Sequence, residues 1–82
     1  GDMDAAAVGA IISTAIGAVE VMGRDTEQGD LFEVMSEFKQ GVIISAPVGR
    51  DAVLGIVANS DANLGRIRFA VKKNISELER AL

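Results

Sequence analysis

The chain has 82 residues, enough for one domain whose folding buries only about 60–65% of the surface of the unfolded chain. It contains no cysteine and no histidine, which excludes disulfides, thiolate nucleophiles and imidazole as general base or metal ligand. The formal net charge is −4 and three phenylalanines are the only aromatic residues, which argues against a nucleic-acid partner. We therefore expect the small interior to gain further burial from self-association or from a partner protein.

One segment, Met3–Gly23, is apolar enough to be considered as a membrane span. It carries Asp4 and Glu20, and much of it is alanine and glycine, which contribute little to insertion. A signal peptide would begin with basic residues and have a more uniformly apolar centre. We expect no membrane insertion, and we expect a cytoplasmic protein.

The first predicted element is a helix over Asp4–Met22. Asp2 or Asp4 can cap its N-terminus, and Gly23 suits the left-handed position just after its end. The helix is apolar nearly all round, so it must be covered on more than one side. One stripe consists of Ala5, Val8, Ile12, Ala15, Val19 and Met22, and the opposite side carries Ala7, Ile11, Ala18 and Val21.

Small residues form a separate row on this helix. Gly9, Ser13 and Gly17 are four positions apart and therefore share one side. Such a row lets another backbone approach closely. Two alternatives remain open at this point: the row lies flat on the sheet of its own chain, or it contacts another helix.

Three strands are predicted next. In Leu31–Gln40 the residues alternate, with Phe32, Val34, Ser36 and Phe38 on one side of a half-buried strand. Val42–Val48 forms the second strand after a tight turn. The third, Ala52–Ala58, is almost wholly apolar, so we expect it to be covered on both faces. The short turns between the strands predict an antiparallel meander.

A closing helix is predicted over Asn63–Leu82, with Asn59, Ser60 and Asp61 as N-cap candidates. Its single apolar stripe is typical of a helix that packs on one face of a sheet. The predicted fold is therefore α+β: one domain over residues 1–82, made of a helix, a three-stranded antiparallel meander and a second helix. We expect one helix to cover each face of the sheet.

No catalytic constellation is found. The sequence has no phosphate-binding Gly-x-x-x-x-Gly-Lys loop and no Gly-x-Ser-x-Gly elbow. Asp25, Glu27 and Asp30 lack the twelve-residue calcium-loop pattern. We predict no enzyme activity, no catalytic residue, no cofactor and no metal, and we interpret Arg66 and Arg68 as surface residues.

Two consecutive segments carry a family resemblance: GVIISAPVGRDAVLGIVAN (Gly41–Asn59) and SDANLGRIRFAVKKNISEL (Ser60–Leu78). They resemble the Roadblock family of dynein-associated light chains, especially its prokaryotic branch, and Ala5–Met22 resembles the small-residue-rich central helix of that family. The resemblance implies a profilin-like fold. The family domain begins with a further helix and a strand hairpin that have no counterpart here. We therefore expect an N-terminally truncated domain with an open edge at Ala52–Ala58, since Gly1 is not a natural translation start.

What the resemblance implies is a non-catalytic homodimer that scaffolds, or activates, a small Ras-like GTPase. Family members pair through the strand at Leu31–Phe38 and through their central helices. The residues expected at the dimer interface are Gly9, Ser13, Ile16, Gly17, Phe32, Val34 and Ser36. Those expected to face the partner are Thr14, Glu20 and Arg24. The alternatives are a structural light-chain-like subunit of a motor or motility assembly, and a small-ligand-sensing regulatory domain.

Overall fold

A computed structural model describes residues 4–59 and 61–81, and its elements follow the predicted order. The elements are α1 (Ala5–Asp25), β1 (Val34–Phe38), β2 (Gly41–Val48), β3 (Ala52–Asn59) and α2 (Leu64–Ala81). The strands form one antiparallel sheet in the order β1-β2-β3. The predicted α+β arrangement of helix, meander and helix is confirmed.

The strand register separates the two faces of the sheet. Ile44 lies opposite Ile56, and it belongs to the cluster that packs against Val71 of α2. The neighbouring Gly55 belongs to the other face, where a Cβ atom at this position would lie 2.7 Å from Cδ1 of Ile12 in α1. One helix therefore covers each face, as the sequence predicts.

Burial is concentrated on the face that α2 covers. The buried apolar residues are Ile16, Val42, Ile44, Ala46, Val48 and Val71. The prediction that the third strand is covered on both faces is wrong for the single chain, because Val57 is 67% exposed. This strand is an edge of the sheet, and α1 leaves the Val57 position uncovered.

Each helix begins at a residue whose side chain caps it. Asp4 Oδ1 accepts a hydrogen bond of 3.1 Å from the N–H of Ala7, as expected for an N-cap. In α2 the cap is Asn63, whose Oδ1 accepts a 3.1 Å hydrogen bond from the N–H of Arg66. Of the candidates predicted at positions 59–61, residue 60 lies outside the described residues and the other two do not cap the helix.

The end of α1 differs from the prediction. The helix continues to Asp25, and Gly23 does not adopt the left-handed conformation expected of it. That position is taken by Glu27, at φ 58°, whose N–H donates to the carbonyl oxygen of Arg24 at 3.1 Å. The next N–H, of Gln28, donates to the carbonyl oxygen of Gly23 at 2.8 Å. These two bonds form a Schellman motif, which satisfies the last carbonyls without a glycine.

Candidate dimer interface and partner surface

Most of the surface of α1 is open to solvent. Ile16 is its one buried residue. Ile11 is 68% exposed, and Val21 and Met22 are exposed as well. The single chain therefore covers one stripe of a helix that is apolar nearly all round, and the remaining apolar surface has no cover within the described residues.

The row of small residues on α1 faces open space. A Cβ atom added at Gly9 or at Gly17 would meet no atom within 4 Å, and Ser13 between them is exposed. Packing on the sheet therefore does not require these glycines. Glycine inside a helix costs about 1 kcal/mol relative to alanine. Of the two alternatives left open by the sequence, close contact of the row with its own sheet is not observed.

The row lies on the flank of α1 that is turned towards β1. Gly17, Glu20 and Arg24 line a cleft together with residues 29–31, which lead into that strand. The body of α1 packs over β2 and β3. On the α1 side of β1, Val34 and Ser36 are half-buried and Phe38 is exposed.

The strand β1 adds an unpaired edge beside this flank. One side of the strand pairs with β2, and the other side has no partner strand within residues 4–59 and 61–81. By the register, Val34, Ser36 and Phe38 share the face on which α1 lies. Phe38 is 57% exposed. The Gly17 end of the small-residue row and the residues that lead into β1 thus line the same cleft, and the unpaired edge of β1 follows directly.

Two of the residues expected at the interface lie elsewhere. Phe32 precedes β1, and its ring centre lies 5.5 Å from Nζ of Lys72 in α2. The alternation that placed Phe32 with Val34 does not extend to it, because the strand begins only at Val34. Ile16 is 3% exposed and packs inside its own chain. The other five expected residues lie on the side of α1 that carries the small-residue row or on the α1 face of β1: Gly9, Ser13, Gly17, Val34 and Ser36.

The three residues expected to face a partner are all exposed. Glu20 and Arg24 lie one helical turn apart at the cleft described above. Thr14 lies further round the helix, where its hydroxyl donates to the carbonyl oxygen of Ala10 at 3.0 Å. Glu20 and Arg24 therefore form one site, and Thr14 belongs to the outward side of the helix.

A larger cleft of about 530 Å³ opens at the same end of the domain. Its lining combines carboxylates and one ammonium group with apolar walls: Glu20, Asp30, Leu31, Phe32, Pro47, Gly49, Lys72, Ile75, Ser76 and Glu79. These residues come from both helices and from three connecting or strand segments. Sequence reasoning missed the cleft because no local spacing connects residues that meet only in the folded chain.

An ion pair ties α2 to the start of β1. Nε of Arg68 lies 2.9 Å from Oε1 of Glu33, whose side chain is only 9% exposed. The second oxygen, Oε2 of Glu33, is buried and has no hydrogen-bond partner among the described residues. Arg68 is therefore more than a solvated surface residue, and Glu33 retains an unsatisfied acceptor next to the open edge.

The helix α1 is long and apolar enough to cross a membrane, judged by length and composition alone. In the folded chain it instead packs on the sheet through Ile12 and Ile16. Within the described residues, no group of three acidic side chains lies close enough to hold a metal ion.

Comparison with known proteins places this arrangement in a family. The model of the Roadblock/LC7 domain matches residues 1–58, which extend from the N-terminus almost to the end of β3. Two uncharacterized proteins of Methanocaldococcus jannaschii are each 30% identical to the chain over 79 residues. The match covers 96% of this chain and 68% of each relative. It therefore includes most or all of α2, which the family model does not reach.

Proposed function

Because the chain belongs to the Roadblock/LC7 family, whose domains are non-catalytic protein-interaction modules, we propose that it acts as a homodimeric cytoplasmic platform for a small Ras-like GTPase. One observation carries the dimer: the small-residue row of α1 faces open space, and its Gly17 end lines a cleft with the residues that lead into the unpaired strand β1. A helix and a strand from a second copy would cover both features at once.

The size of the exposed surface supports an additional partner. The chain exposes 6321 Å². A compact monomer of this mass would expose about 4,700 Å². A stable interface of standard size removes about 800 Å² from each partner. The exposed area of this chain therefore exceeds that of a compact monomer by more than the area that one partner loses in a standard interface.

A two-fold axis perpendicular to the sheet gives the proposed geometry. It sets β1 beside β1 of the second copy and produces one six-stranded antiparallel sheet. The same axis brings the two α1 helices together over the joined edges, with Gly9, Ser13 and Gly17 between them. Without side chains at the two glycines the helix backbones can approach closely and gain dispersion contacts.

The GTPase partner is supported by the resemblance to Roadblock proteins, which bind Ras-like GTPases without inserting a catalytic residue. A partner of this type needs an exposed surface next to the dimer axis. Glu20 and Arg24 offer both signs of charge at the end of α1, at the rim of the proposed interface. Charged rim residues mainly influence association rate and specificity.

The partner is tested by titrating the chain with a Ras-like GTPase from the same organism, loaded with GDP or with a non-hydrolysable GTP analogue. We expect tighter binding of the GTP-like state, and weaker binding after Glu20→Ala or Arg24→Ala. Arg50→Ala, in the exposed turn between β2 and β3, is the matched control. Lack of binding to both states would remove the GTPase from the proposal. Equal binding to both states would favour the alternative, a structural light-chain-like subunit.

The larger cleft favours a second candidate function, the sensing of a small ligand. Its size lies within the range of about 300–1,000 Å³ that is usual for ligand sites. The lining carries three carboxylates, of Glu20, Asp30 and Glu79, and one ammonium group, that of Lys72, so the excess of negative charge favours a cationic ligand. An NMR titration with spermidine, compared with ATP, tests this candidate. Shifts confined to the cleft residues support it, and no shift with either compound rejects it.

A further inference from the structure

We infer that the β1 strands of two copies pair in one register, with Ser36 facing Ser36 of the second copy on the two-fold axis. In this register Glu33 lies opposite Lys39 of the second copy, and this opposite-charge pair selects it. The inference rests on the proposed dimer, and it adds the register and two residues that the dimer alone does not assign.

The two-layer fold restricts the possible registers. Both copies must keep α1 on the same face of the joined sheet, so residues directly opposite each other must point to the same face. In β1 the even-numbered residues lie on the α1 face and the odd-numbered residues on the α2 face. The axis must therefore pass midway between one residue of β1 and the same residue of the second copy. The three central candidates for this residue are Met35, Ser36 and Glu37.

Strand overlap favours the middle candidate. The strand has five residues, Val34–Phe38. With the axis at Ser36, all five pair with the second copy. With the axis at Met35 or Glu37, only three of the five do. Each lost pair leaves backbone N–H and C=O groups on an edge without a partner.

Charge favours the same register. With the axis at Met35, Glu33 would face Glu37 of the second copy, and with the axis at Glu37, two Glu37 side chains would face each other. With the axis at Ser36, Glu33 faces Lys39 and Met35 faces Glu37. Like charges directly opposite in an antiparallel pair are destabilising, and opposite charges are stabilising. The Ser36 register is the only one of the three that avoids opposed carboxylates.

The surroundings of Glu33 strengthen the effect of charge at this position. Its side chain is 9% exposed and is held by Arg68 through one oxygen, and the other oxygen has no partner among the described residues. A second carboxylate opposite this partly desolvated group would repel it more strongly than in water. The ammonium group of Lys39, which is exposed at the turn after β1, would instead attract it.

The other face of the joined strands is also compatible. There the Ser36 register sets Val34 of one copy against Phe38 of the other and covers the exposed ring. The two Ser36 side chains meet at the centre, beneath the paired α1 helices. Small side chains at this point leave room for the helices above the sheet.

Cysteine cross-linking tests the register, because the chain contains no cysteine of its own. Odd-numbered residues are expected to direct their backbone groups to the free edge, which makes the Ser36 pair a non-hydrogen-bonded pair. Cα atoms in such a pair are about 4.5 Å apart, within the range of a disulfide. Met35 of one copy and Met35 of the other would be about 8 Å apart, beyond that range. The same holds for Glu37.

We expect Ser36→Cys to form a covalent dimer under mild oxidation much faster than Met35→Cys or Glu37→Cys. The wild-type chain, examined by sedimentation, shows separately whether a dimer exists. A dimer in which Met35→Cys or Glu37→Cys cross-links fastest, or in which none of the three cross-links, would overturn the register. A monomeric wild type would instead reject the proposed dimer itself.

A charge swap gives a second test with its own controls. Glu33→Lys and Lys39→Glu each place like charges opposite each other in the homodimer, so each should weaken dimerisation several-fold. Mixed in equal amounts, the two variants restore both opposite-charge pairs and should form a heterodimer preferentially. Arg50→Glu, in the exposed turn between β2 and β3 and outside β1, should dimerise like the wild type.

Glu33→Lys also loses the bond to Arg68, so its folding is followed by circular dichroism. If it fails to fold, Lys39→Glu still decides the matter, because Lys39 is exposed and makes no hydrogen bond or ion pair within the described residues. Unchanged dimerisation of Lys39→Glu, or random mixing of the two folded variants, would contradict the ion pair.

Discussion

The two helices of this domain have similar lengths but differ in how much of their apolar surface the single chain covers. Each helix has one buried residue, Val71 in α2 and Ile16 in α1. In α2 the neighbouring apolar residues pack against the core cluster, and Phe69 and Leu78 stay exposed. In α1, which is apolar nearly all round, more apolar positions are open to solvent, and Ile11 is 68% exposed. The apolar stripe of α2 is therefore mostly covered by its own domain, whereas a larger part of the apolar surface of α1 is left for a contact outside the chain.

Because of this difference, we expect substitutions in the two helices to affect different quantities, the stability of the chain and its association. Substitutions in the buried stripe of α2 should alter the free energy of unfolding of each chain. Substitutions on the open flank of α1 should alter the affinity between chains and leave the chain itself folded. Four substitutions, taken from the largest expected effect to the smallest, test the contrast.

Val71→Ala should have the largest effect on folding. Val71 is 1% exposed, and its truncation leaves a cavity against β2. We expect a loss of about 2–3 kcal/mol in the free energy of unfolding, measured by urea titration. Ile11→Ala, on the exposed side of α1, is the matched control and should change the stability of the dilute chain by less than about 0.5 kcal/mol. Similar losses for both variants would remove the contrast between the helices.

Gly17→Leu should act on association. A Cβ atom at this position meets no atom within 4 Å and the cleft beside it is open, so the variant should fold normally. In the dimer the added side chain separates the two α1 helices, at a cost of about 1–3 kcal/mol, equivalent to a rise in Kd of roughly five- to 150-fold. Gly65→Leu, at an exposed glycine in the first turn of α2, is the control. Equal dimer affinity of the two variants in sedimentation would show that the row lies outside the interface.

Asn63→Ala should destabilise α2 by removing its N-cap. Loss of the hydrogen bond to the N–H of Arg66 is expected to cost about 1 kcal/mol in thermal or urea unfolding. Asp61→Ala is the control, since Asp61 does not cap the helix. A cost that is as large for Asp61→Ala would mean that the helix begins earlier than described.

Glu27→Gly should have the smallest effect, and of opposite sign. Glu27 has a φ of 58°, which a glycine adopts without steric cost. We expect a gain of up to about 1 kcal/mol in the free energy of unfolding. Gln28→Gly, at a residue without positive φ, should not stabilise the protein. A loss of stability on Glu27→Gly would contradict the Schellman motif at the end of α1.

The sequence predicts most of the architecture because the periodic patterns are long. The alternation before Phe38, the apolar strands and the single stripe of α2 all reflect local preferences that the packed structure keeps. The predicted helix end at Met22, with Gly23 just after it, is wrong, because the N–H groups of residues 26–28 satisfy the last carbonyls of a helix that continues to Asp25. The N-cap of α2 also differs from the prediction. Asn63 caps the helix, whereas the candidates predicted from the sequence were at positions 59–61.

The candidate site was less accessible to sequence reasoning. The row Gly9, Ser13 and Gly17 could be recognised from its spacing, but only the folded chain shows that it faces open space beside β1. Phe32 could not be separated from Val34 by alternation, because its approach to Lys72 depends on where α2 lies. The bond between Glu33 and Arg68 joins residues 35 positions apart, and no local sequence pattern predicts it.

Sedimentation equilibrium of the unmodified chain over a wide concentration range tests the central claim most directly. We expect a particle of twice the 8.5 kDa chain mass that dissociates on dilution, because the open flank of α1 and the edge of β1 are covered only in the dimer. A folded particle of a single chain mass at the highest soluble concentration would contradict it.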